Sequence, residues 1–192
     1  IGGLFYIAPW VFMFLIPAIT MRLFSEESRT GTIELLLTKP LTDFQIVFAK
    51  YISGFLLVLF ALLPTLVYFY SVYQLGSPVG NIDVGGTIGS YFGLLFLGSV
   101  FVAIGLFSSA ITNNQIISFI VAVFLCFFSY VGFESISSLQ LFGPIDDLII
   151  NLGINTHYLS MSRGVIDTRD VIYFLGIIFL FLLFTKTVLG SR

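Results

Sequence analysis

The sequence predicts an all-α membrane protein, a polytopic bundle of transmembrane helices. Hydrophobic residues make up 58% of the 192 residues and charged residues only 9%, whereas soluble domains carry about 25% charged residues. The mean hydropathy is +1.08, and the apolar stretches are continuous rather than alternating, which excludes barrel strands. A surface with so few charges has to face lipid.

Five stretches without Asp, Glu, Lys or Arg are candidates for membrane-spanning helices, because about 20 apolar residues cover the hydrocarbon core. They are residues 4–21, 51–73, 88–111, 116–133 and 171–185. Pro9 and Pro17 lie in the first stretch and Pro64 in the second, and each removes a backbone donor and predicts a bend. Such a bend is either tolerated by a static helix or used as a hinge during transport.

The third stretch carries glycines spaced by four. Gly85, Gly89 and Gly93 share one helical face, and small residues on one face permit close contact between helices. The spacing therefore predicts tight packing, either inside the subunit or at a dimer interface.

The basic residues orient the stretches. Residues 22–50 hold four of the eight basic residues, and residues 74–87 hold none. The positive-inside rule therefore puts loop 22–50 and the C-terminus on the cytoplasmic side of the inner membrane, and the acidic segment 134–170 outside. The chain begins at Ile1, which this orientation puts outside. We therefore expect one further span upstream, and six in the single domain to which residues 1–192 belong.

Loop 22–50 has the pattern of a short surface helix. Gly31 allows a sharp turn, Thr32 is a candidate N-cap with Glu34 in the first turn, and Pro40 ends the helix. Such a helix either floats at the lipid headgroups or docks in a groove of a cytoplasmic partner.

A second helix starts directly behind it. Thr42 and Gln45 fit a capping box, and Phe44, Val47 and Phe48 keep helical spacing toward the next span. The loop is thus predicted to be a surface helix held between two spans.

The segment Glu27-Ser-Arg-Thr-Gly-Thr-Ile-Glu-Leu-Leu-Leu-Thr-Lys-Pro40 resembles the E-x-x-x-G-T-x-E-x-L-L-x-x-P signature of ABC-2 type transporter permeases. Permeases of this family have six spans with the signature between the second and the third, and a lysine such as Lys50 commonly opens the next span. The resemblance implies that the short helix is a coupling helix, seated in a cleft of a separate ATPase subunit. The residues that it assigns to this docking are Glu27, Gly31, Thr32, Glu34, Leu36, Leu37 and Pro40.

The same resemblance implies the composition of the complete machine. It would contain two ATPase subunits, which use ATP and Mg, and two permeases, as a homodimer or with a related chain, in contact with membrane lipid. The chain has no G-x-x-x-x-G-K-[ST] and no G-x-S-x-G motif, so we expect no ATPase site and no catalytic residues in it. A net charge of −2 gives no indication of nucleic-acid binding.

Cysteine and histidine are each present once, as Cys126 and His157. A single histidine excludes a bis-histidine haem and a zinc site built on several histidines. His157 has no nucleophile at a known spacing, so we interpret it as a surface residue. We therefore expect neither a metal nor a cofactor on this chain.

The stretch Arg163-Gly-Val-Ile-Asp-Thr-Arg-Asp170 precedes the last span. It resembles the R-G-x-I-D-x-R-D stretch of the gliding-motility-associated (GldF-type) permeases of Bacteroidetes and of the NosY-like permeases, and Tyr173 and Phe174 extend the likeness. Four of its charged residues are candidates for local ion pairs that anchor the span at the outer boundary. They are Arg163, Asp167, Arg169 and Asp170.

An external helix is predicted before this stretch. Pro144 fits its first position, Asp146 and Asp147 fit its first turn, and Gly153 fits its end. This helix either lies on the outer leaflet or, as the family resemblance suggests, re-enters the membrane and caps the translocation path.

The resulting hypothesis is a permease subunit of an ATP-driven exporter or gliding-motility system that moves an unknown substrate. The alternatives are a NosY-like permease for copper-site maturation and a non-transporting membrane scaffold for a periplasmic or motility complex. An ion-coupled transporter or channel is disfavoured, because such proteins place ionisable residues at membrane depth and the five stretches contain none.

Overall fold

The computed structural model describes residues 2–38, 40–77, 80–139, 143 and 146–191. For Leu36 and Leu37 it describes the backbone and not the side chains. The regular structure of these residues is helical throughout. In chain order the helices are α1 (Gly2–Thr20), α2 (Ser25–Thr30), α3 (Ile33–Leu37), α4 (Asp43–Leu75), α5 (Val84–Ile111), α6 (Gln115–Phe127), α7 (Phe133–Ser138), α8 (Asp146–Leu152), α9 (Ile154–Ser162) and α10 (Thr168–Gly190). A π-helical turn, Phe128–Gly132, joins α6 to α7.

Five helical stretches of the described chain are long and apolar enough to cross a membrane. They are Gly2–Thr30, Asp43–Leu75, Val84–Ile111, Gln115–Ser138 and Thr168–Gly190. The prediction of an all-α polytopic membrane protein is therefore confirmed. The longest helix, α4, has 33 residues. At 1.5 Å per residue it reaches about 50 Å, well beyond the hydrocarbon core.

Helix α5 forms the centre of the bundle. In its most apolar window 78% of the residues are buried, compared with 22–39% in the other four stretches. It packs against α1, α4, α6, α9 and α10. The other spans therefore surround α5, and they leave large apolar side chains such as Phe60 and Phe124 on the outer surface.

The long helices alternate in direction, so the bundle has two ends. Loop 22–50 and residues 112–115 lie together at one end, which we call the loop end, because Phe24 contacts Ser109 near the end of α5. Helices α7, α8 and α9 lie at the opposite end, which we call the distal end, because α9 contacts the start of α1. Helix α10 returns to the loop end, where Gly190 approaches the side chain of Asp43.

The glycines of α5 pack against neighbouring helices of the same chain. A Cβ added to Gly89 would lie 2.4 Å from the carbonyl oxygen of Met161, and one added to Gly93 would lie 3.2 Å from the ring of Tyr158. Both contacts bring α9 onto the backbone of α5. Of the two uses predicted for this face, the structure shows packing inside the subunit.

Helix α1 continues through Pro9, which has no N–H to donate. The carbonyl group of Phe5, four residues earlier, is therefore left without a helical donor. The buried hydroxyl group of Tyr158 in α9 donates to this oxygen at 2.7 Å. This bond satisfies the backbone in an apolar bundle, and it ties the distal end to the first span.

Replacing Tyr158 with phenylalanine is expected to lower the free energy of unfolding by about 1–3 kcal/mol, because the buried Phe5 carbonyl would lose its donor. Tyr91→Phe is the matched control. The Tyr91 hydroxyl donates to the carbonyl of Thr65 at 2.9 Å, but that oxygen keeps its helical donor within α4. Unfolding in detergent titrated with SDS measures both variants. Equal losses of stability in the two variants would contradict the role assigned to the N–H group that is missing at Pro9.

A helix, α8, is present where the sequence predicted one before the last span, with Asp146 and Asp147 in its first turn. Pro144, predicted as its first residue, lies outside the described residues. Gly153 follows the helix as predicted, and its N–H donates to the carbonyl of Ile150. Helix α9 then begins at once, although no sequence pattern predicts it, because its apolar positions alternate irregularly with polar ones.

Candidate functional site

Loop 22–50 is built from two short helices joined at a glycine. Helix α2 ends at Gly31, which has a φ of 73°, the left-handed conformation that glycine adopts without strain. The predicted turn is confirmed. Thr32, predicted to cap α3, instead directs its hydroxyl to that of Thr30 at 3.0 Å, so it links α3 back to α2.

The exposed face of the loop carries several of the predicted docking residues. Gly31, Thr32, Glu34 and Pro40 are all exposed, whereas Ile33 is buried. These four positions therefore lie on the surface of the loop end, where another protein can reach them.

The leucines of α3 complete the predicted set only in part. The backbone of Leu36 and Leu37 belongs to α3, and their side chains lie outside the described residues. Leu35, which sequence analysis did not single out, is 68% exposed. It adds an apolar contact beside the exposed carboxylate of Glu34.

The remaining docking candidate, Glu27, has its partner inside the chain. Its Oε1 lies 2.6 Å from Nζ of Lys50, and the two side chains are only 32% and 17% exposed. The same Nζ donates to the carbonyl oxygen of Leu23 at 2.5 Å and lies 4.8 Å from the centre of the Phe24 ring. Charge-assisted bonds of this kind are stronger than neutral ones, so Lys50 fastens α2 to α4.

A serine of α5 holds the other side of the loop. The hydroxyl oxygen of Ser109 accepts from the backbone N–H groups of Phe24 at 2.9 Å and Ser25 at 3.0 Å, and it donates to the carbonyl of Met21 at 3.0 Å. N–H groups at the start of a helix have no helical acceptor. Ser109 thus acts as the N-cap of α2 from another helix, and no local pattern reveals a contact between residues 85 positions apart.

A polar cleft of about 1030 Å³ opens between the loop and residues 112–115. Arg29 and Glu34 line one side of it, and Asn114 lines the other. Asn114 also begins α6, because its side chain accepts from the N–H of Ile116 at 2.9 Å. The loop end therefore offers a polar recess beside an exposed short helix, a surface suited to a protein partner.

The capping box predicted at the start of α4 is confirmed. The Thr42 hydroxyl accepts from the N–H of Gln45 at 3.4 Å, and Oε1 of Gln45 accepts from the N–H of Thr42 at 2.9 Å. These two bonds define where the loop passes into the long helix.

His157, interpreted from the sequence as a surface residue, is instead largely buried. Its side chain is 14% exposed, and its Nδ1 lies 2.6 Å from Oδ1 of Asp170. Its Nε2 lies 2.9 Å from the carbonyl oxygen of Asn151, and its ring stacks on that of Tyr173 with 3.8 Å between centres. The interpretation was wrong because α9 folds back onto α10, which the local sequence does not indicate.

The four predicted boundary anchors do not pair with one another in the described part of the chain. Asp170 pairs with His157, and Asp167 caps α10 by accepting from the N–H of Arg169 at 3.1 Å. Arg163 and Arg169 are exposed, and neither belongs to the ion pairs found among the described residues. The local ion pairs predicted for this stretch are therefore not formed in the described part of the chain.

In the described ranges, no three His, Cys, Asp or Glu side chains gather into a set that could hold a metal ion. Cys126 is a buried free thiol. The arrangement at the loop end is thus one of surface contacts and internal braces.

The fold and the loop together define a multi-pass membrane protein with a braced helical loop exposed at one end. Residues 5–142 match a family profile described as "ABC-2 family transporter protein". The match covers more than half of the 192 residues, and the chain belongs to this family. It is a membrane permease component of an ABC transporter, and the family implies pairing with an ABC ATPase subunit. No curated protein matches the chain significantly.

Proposed function

We propose that this chain is the permease subunit through which a separate ATPase drives transport, and that loop 22–50 is the coupling element. The loop itself carries the proposal, because it has the signature pattern and exposes Glu34 and Leu35 at the loop end. A short helix with apolar and acidic groups suits a groove in a partner protein. The proposed docking residues are Gly31, Thr32, Glu34, Leu36, Leu37 and Pro40, with Glu27 as an internal brace.

The bracing of the loop favours transmission of force into the bundle. Ser109 joins the start of α2 to α5, and Lys50 joins α2 to α4. A push on α3 therefore reaches two spans through short directional bonds instead of being lost in a flexible connection. In the proposed mechanism, nucleotide-driven closure of the ATPase moves α2 and α3, and α4 and α5 follow as rigid bodies, with a hinge near Pro64.

The proposed assembly has two ATPase subunits, which hydrolyse ATP with Mg, and two permeases, either two copies of this chain or this chain and a related one. The proposed location is the inner membrane, with loop 22–50 and the C-terminus in the cytoplasm. The four basic residues of the loop support this orientation. The exposed apolar side chains around the bundle support contact with membrane lipid.

Within the family, we propose an exporter or gliding-motility system, because the stretch from Arg163 to Asp170 resembles the gliding-motility-associated permeases. The neighbouring genes test this branch. An adjacent ATPase gene in a gliding-motility cluster would support it, and a copper-processing cluster would favour the NosY-like alternative.

The docking proposal predicts a loss of ATPase binding when the exposed face is altered. Glu34→Lys reverses an exposed charge, and Gly31→Trp puts a bulky side chain at a position with a φ of 73°. We expect each change to reduce the ATPase retained by the tagged chain about tenfold, the equivalent of about 1.4 kcal/mol. Co-purification with candidate ABC ATPase subunits measures the effect.

Asp147→Lys is the matched control, because it reverses the charge of an exposed residue at the distal end. It should leave ATPase retention unchanged. Each variant is first required to show the melting temperature of the wild type, so that a misfolded chain is not scored. Unchanged binding in both loop variants would contradict the docking proposal and favour the membrane scaffold.

A further inference from the structure

A second recess lies at the distal end, between α1, the π-helical turn, α7 and α9. Its volume is about 430 Å³. Four large aromatic side chains, one carboxylate and one amide contribute to its lining. They are Tyr6, Trp10, Tyr130, Tyr158, Glu134 and Asn155. This distal recess is separate from loop 22–50 and from the cleft beside the loop.

The aromatic walls of the distal recess are held in place by packing. The ring of Trp10 meets that of Tyr130 at 6.2 Å and 82°, and Tyr130 meets Tyr158 at 6.4 Å and 59°. Tyr130 and Tyr158 are buried, and the hydroxyl of Tyr158 is bound to Phe5. Tyr130 lies in the π-helical turn, a geometry that is frequent at functional sites. The recess therefore presents aromatic rings at several angles around one space.

A carboxylate gives the distal recess a negative charge. Glu134 Oε2 accepts from Asn155 Nδ2 at 2.7 Å, and no cationic side chain pairs with Glu134 among the described residues. The hydroxyl group of Tyr130, whose side chain lines the same recess, has no hydrogen-bond partner among the described residues. One charge and one hydrogen-bonding group are thus left for a ligand.

We propose that the distal recess binds an organic ammonium group, carried either by a free small cation or by a lipid headgroup. Aromatic ring faces attract such a cation, most strongly when it is desolvated. The Glu134 carboxylate, which has no cationic partner in the described part of the chain, supplies the counter-charge. A ligand whose only charged group is a phosphate or a carboxylate would meet this carboxylate and be repelled. That such a cation is the transported substrate rests on the proposed function, whereas the binding of the cation to the distal recess does not.

Trp10 is the only tryptophan of the chain, so its fluorescence reports directly on the distal recess. The full chain in phosphatidylglycerol vesicles is titrated with choline and with 3,3-dimethyl-1-butanol, which has the same shape without the charge. We expect a saturable change with choline and an affinity about tenfold weaker for the neutral alcohol. An equal response to the two compounds, or no saturable response to choline, would overturn the proposal.

Two variants test the groups that carry the proposal. Glu134→Gln removes the charge and keeps the shape, and it should weaken choline binding about tenfold. Tyr6→Leu removes a ring that is 76% exposed, so that folding is spared, and it should weaken binding about threefold. Asp147→Asn, the matched control, removes an exposed charge outside the recess and should leave the affinity unchanged. Equal losses of affinity in Glu134→Gln and Asp147→Asn would show that choline responds to surface charge in general, and would overturn the proposal.

Vesicle composition separates the two sources of the ammonium group. In phosphatidylcholine vesicles a lipid headgroup would compete for the recess, so a weaker response to added choline assigns the site to lipid. An unchanged response assigns it to a free cation, and both results uphold the proposal. No ATPase takes part, so a failure of this test leaves the coupling proposal untouched, and a failure of ATPase docking leaves this one untouched.

Discussion

Replacing Ser109 with alanine is expected to lower the free energy of unfolding by about 2–4 kcal/mol. One hydroxyl group serves the N–H groups of Phe24 and Ser25 and the carbonyl of Met21, and Ser109, Phe24 and Ser25 are fully buried. Each buried polar group that loses its partner costs about 1–3 kcal/mol. The Met21 carbonyl keeps the Ser25 hydroxyl as a second donor, so the two N–H groups account for most of the loss.

Ser108→Ala is the matched control for this prediction. Ser108 is as fully buried as Ser109, but its hydroxyl donates only to the carbonyl of Ile104 in its own helix, at 3.0 Å. Its removal leaves no N–H group without an acceptor, and we expect a loss below about 1 kcal/mol. Unfolding in detergent titrated with SDS compares the two variants, and amide hydrogen exchange at Phe24 and Ser25 should accelerate only in Ser109→Ala. Equal losses and equal exchange would show that Ser109 does not brace the loop.

Gly89→Val is expected to separate α9 from α5 and to lower the free energy of unfolding by about 3 kcal/mol, at the upper end of the usual cost of overpacking. A Cβ at this position would lie 2.4 Å from the carbonyl oxygen of Met161 and 2.8 Å from Cα of Gly164. Both are backbone atoms, which cannot rotate away as a side chain does. Because α9 carries Tyr158 and His157, its displacement would also break their contacts with α1 and α10. The emission of Trp10 should then shift to the red as the distal recess opens to water.

Gly176→Ala supplies the comparison within α10. A Cβ at Gly176 has nothing within 4 Å, and replacing a glycine inside a helix by alanine stabilises it by about 0.5–1 kcal/mol. We therefore expect unchanged or slightly raised stability, measured in the same SDS titration. A Gly89→Val chain that unfolds like the wild type and keeps its Trp10 emission would contradict the close approach of α9 to α5.

The spans and the loop could be predicted because their signals are local. The third span, predicted from residue 88, begins as a helix at Val84, since the stretch ahead of the apolar run also adopts helical structure. The capping box of Thr42 and Gln45 lies within four residues and was found from spacing alone. The turn at Gly31 followed in the same way, because its conformation depends on one residue.

The partners of the charged residues could not be predicted in this way. Glu27 pairs with Lys50 across the loop, and Asp170 pairs with His157 instead of the arginines next to it. In both cases the charged side chain pairs with a residue on another helix and not with an oppositely charged residue nearby in sequence. The pairing depends on how closely two helices approach, and no local pattern in the sequence reports that distance.

By itself, the sequence determined the class of protein, the run of apolar helices and the signature of its family, because hydrophobicity, capping and turn conformation belong to contiguous residues. Only the tertiary structure decided that Ser109 caps a helix from another span. It also decided that α9 supplies the hydrogen-bond donor that α1 lacks at Pro9, and that four aromatic rings and Glu134 share one recess. The physical reason is that buried backbone groups and charges take whichever partner packing brings within hydrogen-bond distance, and that partner lies as many as 153 residues away.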